Sequence, residues 1–169
     1  MGTNQRTRAR AVTQVNPRNP EQYVLRPATQ LDADLLLRWR NDSASRQASH
    51  NTAEISRDEH MSWLAKSLAD PNRRVLVAEV GDAPVGSVRA ERSDGAWKLS
   101  WTVAPEQRGR GIGKAIVAAA AKLLPGRITA EVKHDNVASA RIALHVGMHL
   151  ARQAGGVLYF ERPAPPSEE

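Results

Sequence analysis

Residues 107–114 read Gln-Arg-Gly-Arg-Gly-Ile-Gly-Lys, and they separate a strand-like pattern from a helical one. Before them, residues 97–103 alternate apolar and polar side chains, which is typical of a half-buried strand. After them, apolar residues recur at helical spacing and predict a helix over 111–124. The stretch is therefore predicted to be a glycine-rich loop that joins a strand to a helix.

This loop has the composition of an anion site. Its three glycines allow a ligand to approach the backbone N–H groups, and the start of a helix adds unpaired donors and a partial positive charge. Three full positive charges come from Arg108, Arg110 and Lys114. The combination favours a diphosphate, although a glycine-rich turn with solvated arginines would have the same sequence.

Two common nucleotide loops do not match. A Walker loop requires Ser or Thr after its Lys, and here Ala115 follows Lys114. The dinucleotide pattern G-x-G-x-x-G is not met either, because the glycines at 109, 111 and 113 are evenly spaced.

The rest of the chain alternates between strand and helix patterns. Three further helices are predicted: at 30–41, from a capping box at Ser56–Glu59 to about Asp70, and from Asn136 to His145. Strands are predicted at 23–27, 75–80, 85–90, 128–132 and 157–160. The pattern leaves open whether one more strand accompanies the strand at 157–160. Residues 43–55 are predicted to be loop or short helix. This order predicts one α/β or α+β layered domain over residues 21–162.

The composition excludes several classes of protein. The 169 residues contain no cysteine, so disulfides, thiolate metal sites and a cysteine nucleophile are excluded, and no metal is expected. No apolar run is long enough for a membrane span, and the first residues lack the apolar core of a signal peptide, so a cytoplasmic protein is expected.

The net charge of +6 comes mostly from residues 1–20, which hold four arginines and no acid. A disordered basic tail is expected there, and a loose end at 163–169. The arginines fit a nucleic-acid contact or a solvated leader; their small number favours the leader, so no nucleic-acid partner is expected.

The segment Arg108-x-x-Gly111-x-Gly113, preceded by Val103–Glu106, resembles the acetyl-CoA signature of the GNAT superfamily. The resemblance covers about residues 23–160. It implies a mixed, mostly antiparallel sheet flanked by helices and splayed at strands 4 and 5, with a bulge near the end of the 97–103 strand. It also assigns acetyl-CoA to Trp101, Thr102 and Val103, where a backbone N–H would meet the thioester carbonyl, and to Arg108, Gly109, Arg110, Gly111, Ile112, Gly113 and Lys114 for the pyrophosphate.

A second motif, Asn136-Val137-Ala138-Ser139 through Gly147-Met148, is similar to another family segment, with Met148 in place of the usual aromatic. Asn136 would reach the CoA arm or simply cap a helix. Ala143 stands where many members carry a tyrosine acid, so a tyrosine in that role is excluded. Ser139 is either an aid to the leaving sulfur or a helix serine bonded to its own backbone.

Amine acetylation needs a neutral amine and therefore a base. Glu131 is the preferred base, because it lies on the polar face of its strand and matches the position of a catalytic Glu in the similar ribosomal-protein N-terminal acetyltransferases. Its alternative role is a strand carboxylate paired with Lys133 or Arg127. Weaker candidates are His134, Glu79 and Glu91.

Residues 39–63 contain the pattern W-R-N-D…R…I…E-H…W, which resembles GNAT enzymes of the pseudaminic-acid pathway. The resemblance implies a nucleotide-linked amino sugar as acceptor. The residue types are compatible with it, because indoles offer flat apolar faces for sugar rings or a uracil and arginines such as Arg40 and Arg46 could hold a diphosphate. Alternatively, the tryptophans are core residues and the arginines structural. The candidate acceptor residues are Trp39, Arg40, Asn41, Arg46, His60 and Trp63.

The sequence thus favours an enzyme that transfers an acetyl group from acetyl-CoA to a primary amine in a ternary complex. No acyl-enzyme is expected, because there is no cysteine and no serine in a recognisable triad. A small-molecule acceptor is expected, with a homodimer as one option. Three alternatives remain open: a ribosomal-protein N-terminal acetyltransferase, an aminoglycoside-type enzyme, and a non-catalytic acyl-CoA-binding module.

Overall fold

The computed structural model describes Asn16 and residues 19–165. Its described strands are β1 (Val24–Pro27), β2 (Arg73–Val80), β3 (Ala83–Ser93), β4 (Ala96–Val103), β5 (Arg127–Lys133), β6 (His149–Ala154) and β7 (Val157–Arg162). Its described α-helices are α1 (Ala33–Asn41), α2 (Ser43–Ala48), α3 (Arg57–Ala69), α4 (Ile112–Lys122) and α5 (Val137–His145). The predicted tail at 1–20 lies almost wholly outside the described residues. Of the predicted loose end, residues 163–165 are described and form no regular element.

The strands form one seven-stranded sheet with the order β1-β2-β3-β4-β5-β7-β6. Within the described sheet, β4 and β5 run parallel and the other neighbouring pairs run antiparallel. The prediction of a mixed, mostly antiparallel sheet flanked by helices is confirmed. The helices of the described residues include none that is long and apolar enough to cross a membrane.

The splay of strands 4 and 5 is confirmed. β4 pairs with β5 only over Ala96–Leu99, opposite Arg127–Ala130. Beyond that point β4 continues along β3, and β5 continues along β7 as far as Lys133. A gap therefore opens between residues 100–103 and 131–133.

The expected bulge in β4 is wrong for its pairing with β3. The register runs unbroken from Gly86↔Val103 to Ser93↔Ala96. A Cβ on Gly86 would lie 2.6 Å from the carbonyl oxygen of Thr102, so a glycine is needed for this close approach. The gap therefore arises from lost pairing on the β5 side and not from an extra residue in β4.

Apolar clusters fix the helices on the sheet. α4 buries Ile116 and Val117 completely against the sheet, in the larger cluster. Trp39 of α1 and Leu64 of α3 pack with Val77 of β2 in a second cluster. The two clusters hold α4 and the α1–α3 pair in place around the gap.

Two elements were not clearly predicted. α2 forms in the polar stretch that the sequence left as loop or short helix, and its N-cap Asp42 accepts a hydrogen bond from the Ser45 N–H. β6 is exposed at all six positions, so it shows no buried alternation that could indicate a strand. Backbone pairing with β7 is what orders β6.

An ion-paired corner joins β1, β2 and the turn before α1. The Arg26 guanidinium donates to both oxygens of Asp32 at 2.8 Å and to Glu79 at 2.7 Å. Asp32 also accepts from the Thr29 N–H at 2.8 Å, which completes the capping box of the turn. The hydrogen bonds from Arg26 lower the pKa of Asp32 despite its burial, which acts in the opposite direction.

We predict that Asp32→Asn destabilises the protein by about 1–3 kcal/mol at pH 7, because a charge-assisted hydrogen-bond network is lost. A depressed folded-state pKa contributes stability above the unfolded value and loses it as the pH falls. The difference from wild type should therefore begin to shrink below about pH 4 and should keep shrinking as the pH falls through the lowered folded-state pKa of Asp32. Urea unfolding at pH 7 and pH 3 measures it.

The matched control is Asp34→Asn. Asp34 meets Arg57 at 2.9 Å, but both side chains are largely exposed, so little change is expected at either pH. An equal loss in both variants at pH 7, or a loss in Asp32→Asn that is as large at pH 3 as at pH 7, would contradict the assignment.

Candidate active site

One cavity of 1440 Å³ occupies the gap between β4 and β5. It is lined by the glycine-rich loop, by the ends of β4 and β5, and by residues of α1 and α3. Small-molecule sites commonly have volumes of about 300–1,000 Å³. The cavity is therefore large enough to hold two substrates side by side.

The glycine-rich loop presents bare backbone donors to this cavity. Gly109 and Gly111 have φ angles of 77° and 84°, in the left-handed region that favours glycine. Gly111 is the N-cap of α4 and provides no side-chain hydrogen bond to the helix. The first N–H groups of α4 are therefore free of a side-chain cap and suited to phosphate oxygens.

Gly113 brings three elements together beneath the loop. A Cβ at this position would lie 2.6 Å from Cδ1 of Ile142 in α5 and 3.3 Å from Cγ2 of Val103 in β4. The missing side chain thus allows the start of α4 to lie against both neighbours. Ile112 is buried beside it.

The charged side chains of the loop differ in their contacts. Arg108 donates to Asp42 at 2.8 Å and to Ser45 at 2.9 Å, so it ties the loop to α2. Arg110 is exposed and approaches Gln107 at 3.3 Å, and Lys114 is exposed in the first turn of α4. Arg110 and Lys114 are therefore the cations best placed to meet an entering anion.

The end of β4 forms one wall of the gap. Trp101, Thr102 and Val103 are half-buried and line the cavity. Their strand has no β5 partner beyond Leu99, so backbone groups on that side are open to a ligand. The indole Nε1 of Trp101 is buried without a hydrogen-bond partner.

Asn136 and Ser139 lie on the α5 side of the cavity. The Asn136 side-chain oxygen accepts the Ser139 N–H at 3.1 Å, so Asn136 caps α5. Ser139 is half-buried and lines the cavity in the first turn of the helix.

Glu131 lies across the gap from β4. Its Oε2 is 3.2 Å from His50 Nε2, and its Oε1 is 3.8 Å from Lys98 Nζ. The side chain is 33% exposed and lines the cavity together with both partners. It is a carboxylate held in place by two neighbours yet accessible to a ligand.

The expected alternative partners of Glu131 are wrong. Lys133 donates to the carbonyl oxygen of Gln47 at 2.8 Å, and Arg127 pairs with Glu161 at 3.6 Å. The actual partner His50 follows α2 in a polar stretch without periodicity. No motif in the sequence indicates it, because the contact joins segments about 80 residues apart.

Four of the six predicted acceptor residues line the cavity: Trp39, Arg40, His60 and Trp63. Trp39 is only 1% exposed and belongs to the core cluster, yet its Nε1 has no hydrogen-bond partner. His60 is 4% exposed and lies 5.4 Å from the Trp63 ring. Burial lowers the pKa of His60, and its Nε2 has no partner.

The other two, Asn41 and Arg46, do not line the cavity. The Asn41 amide donates to the Ile55 carbonyl at 2.8 Å and accepts the Ile55 N–H at 2.9 Å. Its amide is therefore engaged in holding the segment between α2 and α3. Arg46 is half-buried on α2, and its Nε has no partner.

Sequence reasoning missed a polar face of the sheet. Ser87, Arg89 and Glu91 alternate along β3 and all line the cavity, as do Lys98 and Ser100 on β4. The period-two pattern that predicted these strands marks this face, because alternate residues point the same way. Nothing in the pattern indicates that the face is enclosed by α1 and α3.

No metal site appears among the described side chains, since no group of three or more His, Asp or Glu residues there could hold an ion. Glu79 and His134, two weaker base candidates, are engaged by Arg26 and by the Gly156 carbonyl.

Solved structures with a similar fold include several acetyltransferases. Aminoglycoside acetyltransferase AAC(6')-Ib in complex with coenzyme A and kanamycin is 19% identical, covers 83% of this chain and 94% of its own, and gives a TM-score of 0.73. Spermidine N-acetyltransferase from Vibrio cholerae, in complex with CoA and spermine, is 17% identical over 85% and 96%, with a TM-score of 0.75. An acetyltransferase from Thermus thermophilus is 22% identical over 84% and 97%, with a TM-score of 0.72.

No curated protein sequence matches this chain. A model of a protein family does match it, and this match shows the family. Residues 22–149, which include every wall of the cavity described above, match the family model described as the acetyltransferase (GNAT) domain. The chain therefore belongs to the GNAT acetyltransferase family and is an acetyl-CoA-dependent N-acetyltransferase.

Proposed function

We propose that the acceptor amine attacks the acetyl-CoA thioester directly, in a ternary complex within the 1440 Å³ cavity. The observation that carries this proposal is the continuity of that cavity. It joins the uncapped start of α4 to the Glu131 carboxylate across the gap between β4 and β5. A donor and an acceptor bound at its two ends would meet beside residues 101–103.

Each structural element on the acetyl-CoA side of the cavity, from the glycine-rich loop to the start of α5, is assigned one role in binding acetyl-CoA. The loop N–H groups, Arg110 and Lys114 hold the diphosphate. The unpaired backbone of Trp101–Val103 pairs with the pantetheine arm, and a backbone N–H there stabilises the oxyanion that forms on the thioester carbonyl. Asn136 and Ser139 border the same arm from α5.

Glu131 is proposed as the base. It accepts a proton from the attacking ammonium, directly or through water, so that a neutral amine adds to the carbonyl carbon. The tetrahedral intermediate then expels CoA as a thiolate, and the second proton on the amine nitrogen passes to that thiolate or to water, which leaves the neutral amide and the CoA thiol. A thiol has a pKa of about 8.5, so the thiolate can leave without a strong acid. Ser139, which lines the cavity one helical turn before Ala143, is proposed to assist it.

For the acceptor, we propose a nucleotide-linked amino sugar. Trp63 offers an indole face for a ring, and Arg40 offers a cation for a phosphate in the same part of the cavity. The aminoglycoside and spermine named for the similar structures are polycations. The carboxylates lining this cavity are Glu91 and Glu131, too few to form an acidic surface for such molecules.

Lys114→Ala tests whether the glycine-rich loop binds the diphosphate of acetyl-CoA. We expect the KM for acetyl-CoA to rise about 3- to 10-fold, because a partly exposed cation–phosphate contact is lost. With S-acetylpantetheine, which lacks the diphosphate, the same variant should behave as wild type in steady-state assays that follow free thiol.

The control is Lys122→Ala, at the other end of α4 and exposed to solvent. It should leave both donors unaffected. An equal loss of activity with both donors in Lys114→Ala would place the effect elsewhere than at the diphosphate.

Glu131→Gln tests the base. We expect kcat to fall about 10²- to 10⁴-fold, while the Kd for acetyl-CoA stays within about twofold, because the carboxylate acts on the amine and not on the cosubstrate. Glu161→Gln on the neighbouring strand β7 is the control and should keep its activity. Unchanged kcat in Glu131→Gln would remove this residue from the role, and absence of turnover in wild type with every amine would favour the acyl-CoA-binding module.

A further inference from the structure

We infer that Arg40 and Arg89 together form a binding site for an anionic oxygen group of the acceptor, a phosphate or a carboxylate. The inference rests on the proposed acetyl transfer to an amine and names the substrate class: amines that carry an anion beside the reacting nitrogen. Arg89 is part of this site although no sequence motif indicates it, whereas the predicted Arg46 is not.

Arg89 projects from β3 into the cavity. Its Nε donates to the Ser100 hydroxyl at 3.1 Å, and its guanidinium lies 5.3 Å from the centre of the Trp63 ring. These contacts orient the group without neutralising it. Arg89 is exposed on the surface of the cavity. The protein atoms around its guanidinium still lower its pKa by desolvation, and the positive charge of Arg40 lowers it further.

Arg40 reaches the same region from α1. One nitrogen, Nη2, donates to the Asn51 carbonyl at 2.7 Å, while Nη1 is buried without any partner. Burial and the charge of Arg46 lower the pKa of Arg40. A buried donor without a partner and a like-charged neighbour both carry a free-energy cost, which an anion bound by both side chains would relieve.

Several other cations around the cavity already have acidic partners. Arg73 meets Asp70 and Glu91, Lys98 meets Glu131, and Arg108 meets Asp42. Among the residues that the structure describes, no carboxylate lies within 4.0 Å of the charged nitrogens of Arg40 or Arg89. These two guanidinium groups have no acidic partner and are thus available to a ligand bound near Trp63, in the part of the cavity where the acceptor is proposed to bind.

The carboxylates that line the same cavity already have basic partners. Glu91 is engaged by Arg73 at 3.4 Å, and Glu131 is shared by His50 and Lys98. A polycationic acceptor would meet two unpaired arginines and only these two acids, each of which already has a basic side chain beside it. An amine that also carries an anion would place the anion on the arginines and leave its nitrogen for Glu131.

The test compares acceptors that differ only in the anion: glucosamine 6-phosphate against glucosamine, and β-alanine against propylamine, with spermidine as the polycation. Wild type should prefer the anionic member of at least one pair by tenfold or more in kcat/KM. Arg89→Gln should reduce that preference about tenfold or more, while kcat/KM for the neutral member changes less than about threefold. Which pair shows the preference distinguishes phosphate from carboxylate.

Two further variants keep the result interpretable. Arg89→Lys retains the positive charge but loses the planar pair of guanidinium N–H donors. It should therefore recover part of the preference for the anionic acceptor that Arg89→Gln loses. Arg92→Gln, on the same strand but outside the cavity lining, should keep the wild-type preference. Equal activity with both members of every pair, or spermidine as the best acceptor, would overturn the inference.

A binding measurement separates this inference from the proposed reaction. Inorganic phosphate should raise the thermal midpoint of the protein saturated with CoA, and the rise should be lost in Arg89→Gln. That result with no turnover of any amine would refute the proposed acetyl transfer and keep the anion site. Turnover of neutral amines with no phosphate effect and no preference for the anionic member of either pair would refute the anion site and keep the transfer.

Discussion

The site depends on one structural event, the loss of pairing between β4 and β5 after Leu99. Each strand stays in the sheet because its other edge remains paired, β4 to β3 and β5 to β7. The separated edges leave backbone donors and acceptors that need partners. A ligand that lies between the strands can supply them, so the same gap that would weaken an ordinary sheet is the cavity of this enzyme.

α2 links the two halves of that cavity. Its N-cap Asp42 and its Ser45 hold Arg108 of the phosphate loop, and its Gln47 carbonyl holds Lys133 of β5. His50, just beyond the helix, contacts Glu131. The short helix therefore bridges the gap, and the part of the cavity near Glu131 takes its shape partly from the glycine-rich loop that is proposed to hold the cosubstrate.

Much of this arrangement could be predicted from local sequence. Glycines at alternate positions before an apolar helical stripe indicated the loop at Gly109–Gly113, and period-two alternation indicated β4 and its neighbours. The contacts of His50, Arg89 and Arg108 could not be predicted, because they join residues far apart in the chain through the packing of helices on the sheet. Asn41 shows the converse: a motif residue in a promising pattern is engaged by the Ile55 backbone.

The net charge of the sequence likewise could not predict how charges are distributed in the cavity. Beyond residue 20, basic residues exceed acidic ones by only two, which gives no indication of an anion site. The fold decides how these charges are distributed, since Arg73, Lys98 and Arg108 are paired with acids while Arg40 and Arg89 are not. Unpaired cations inside a concave, low-dielectric site focus positive potential far more than the same charges on an open surface. The placement of charge within the cavity, more than its total, is what favours an anionic partner.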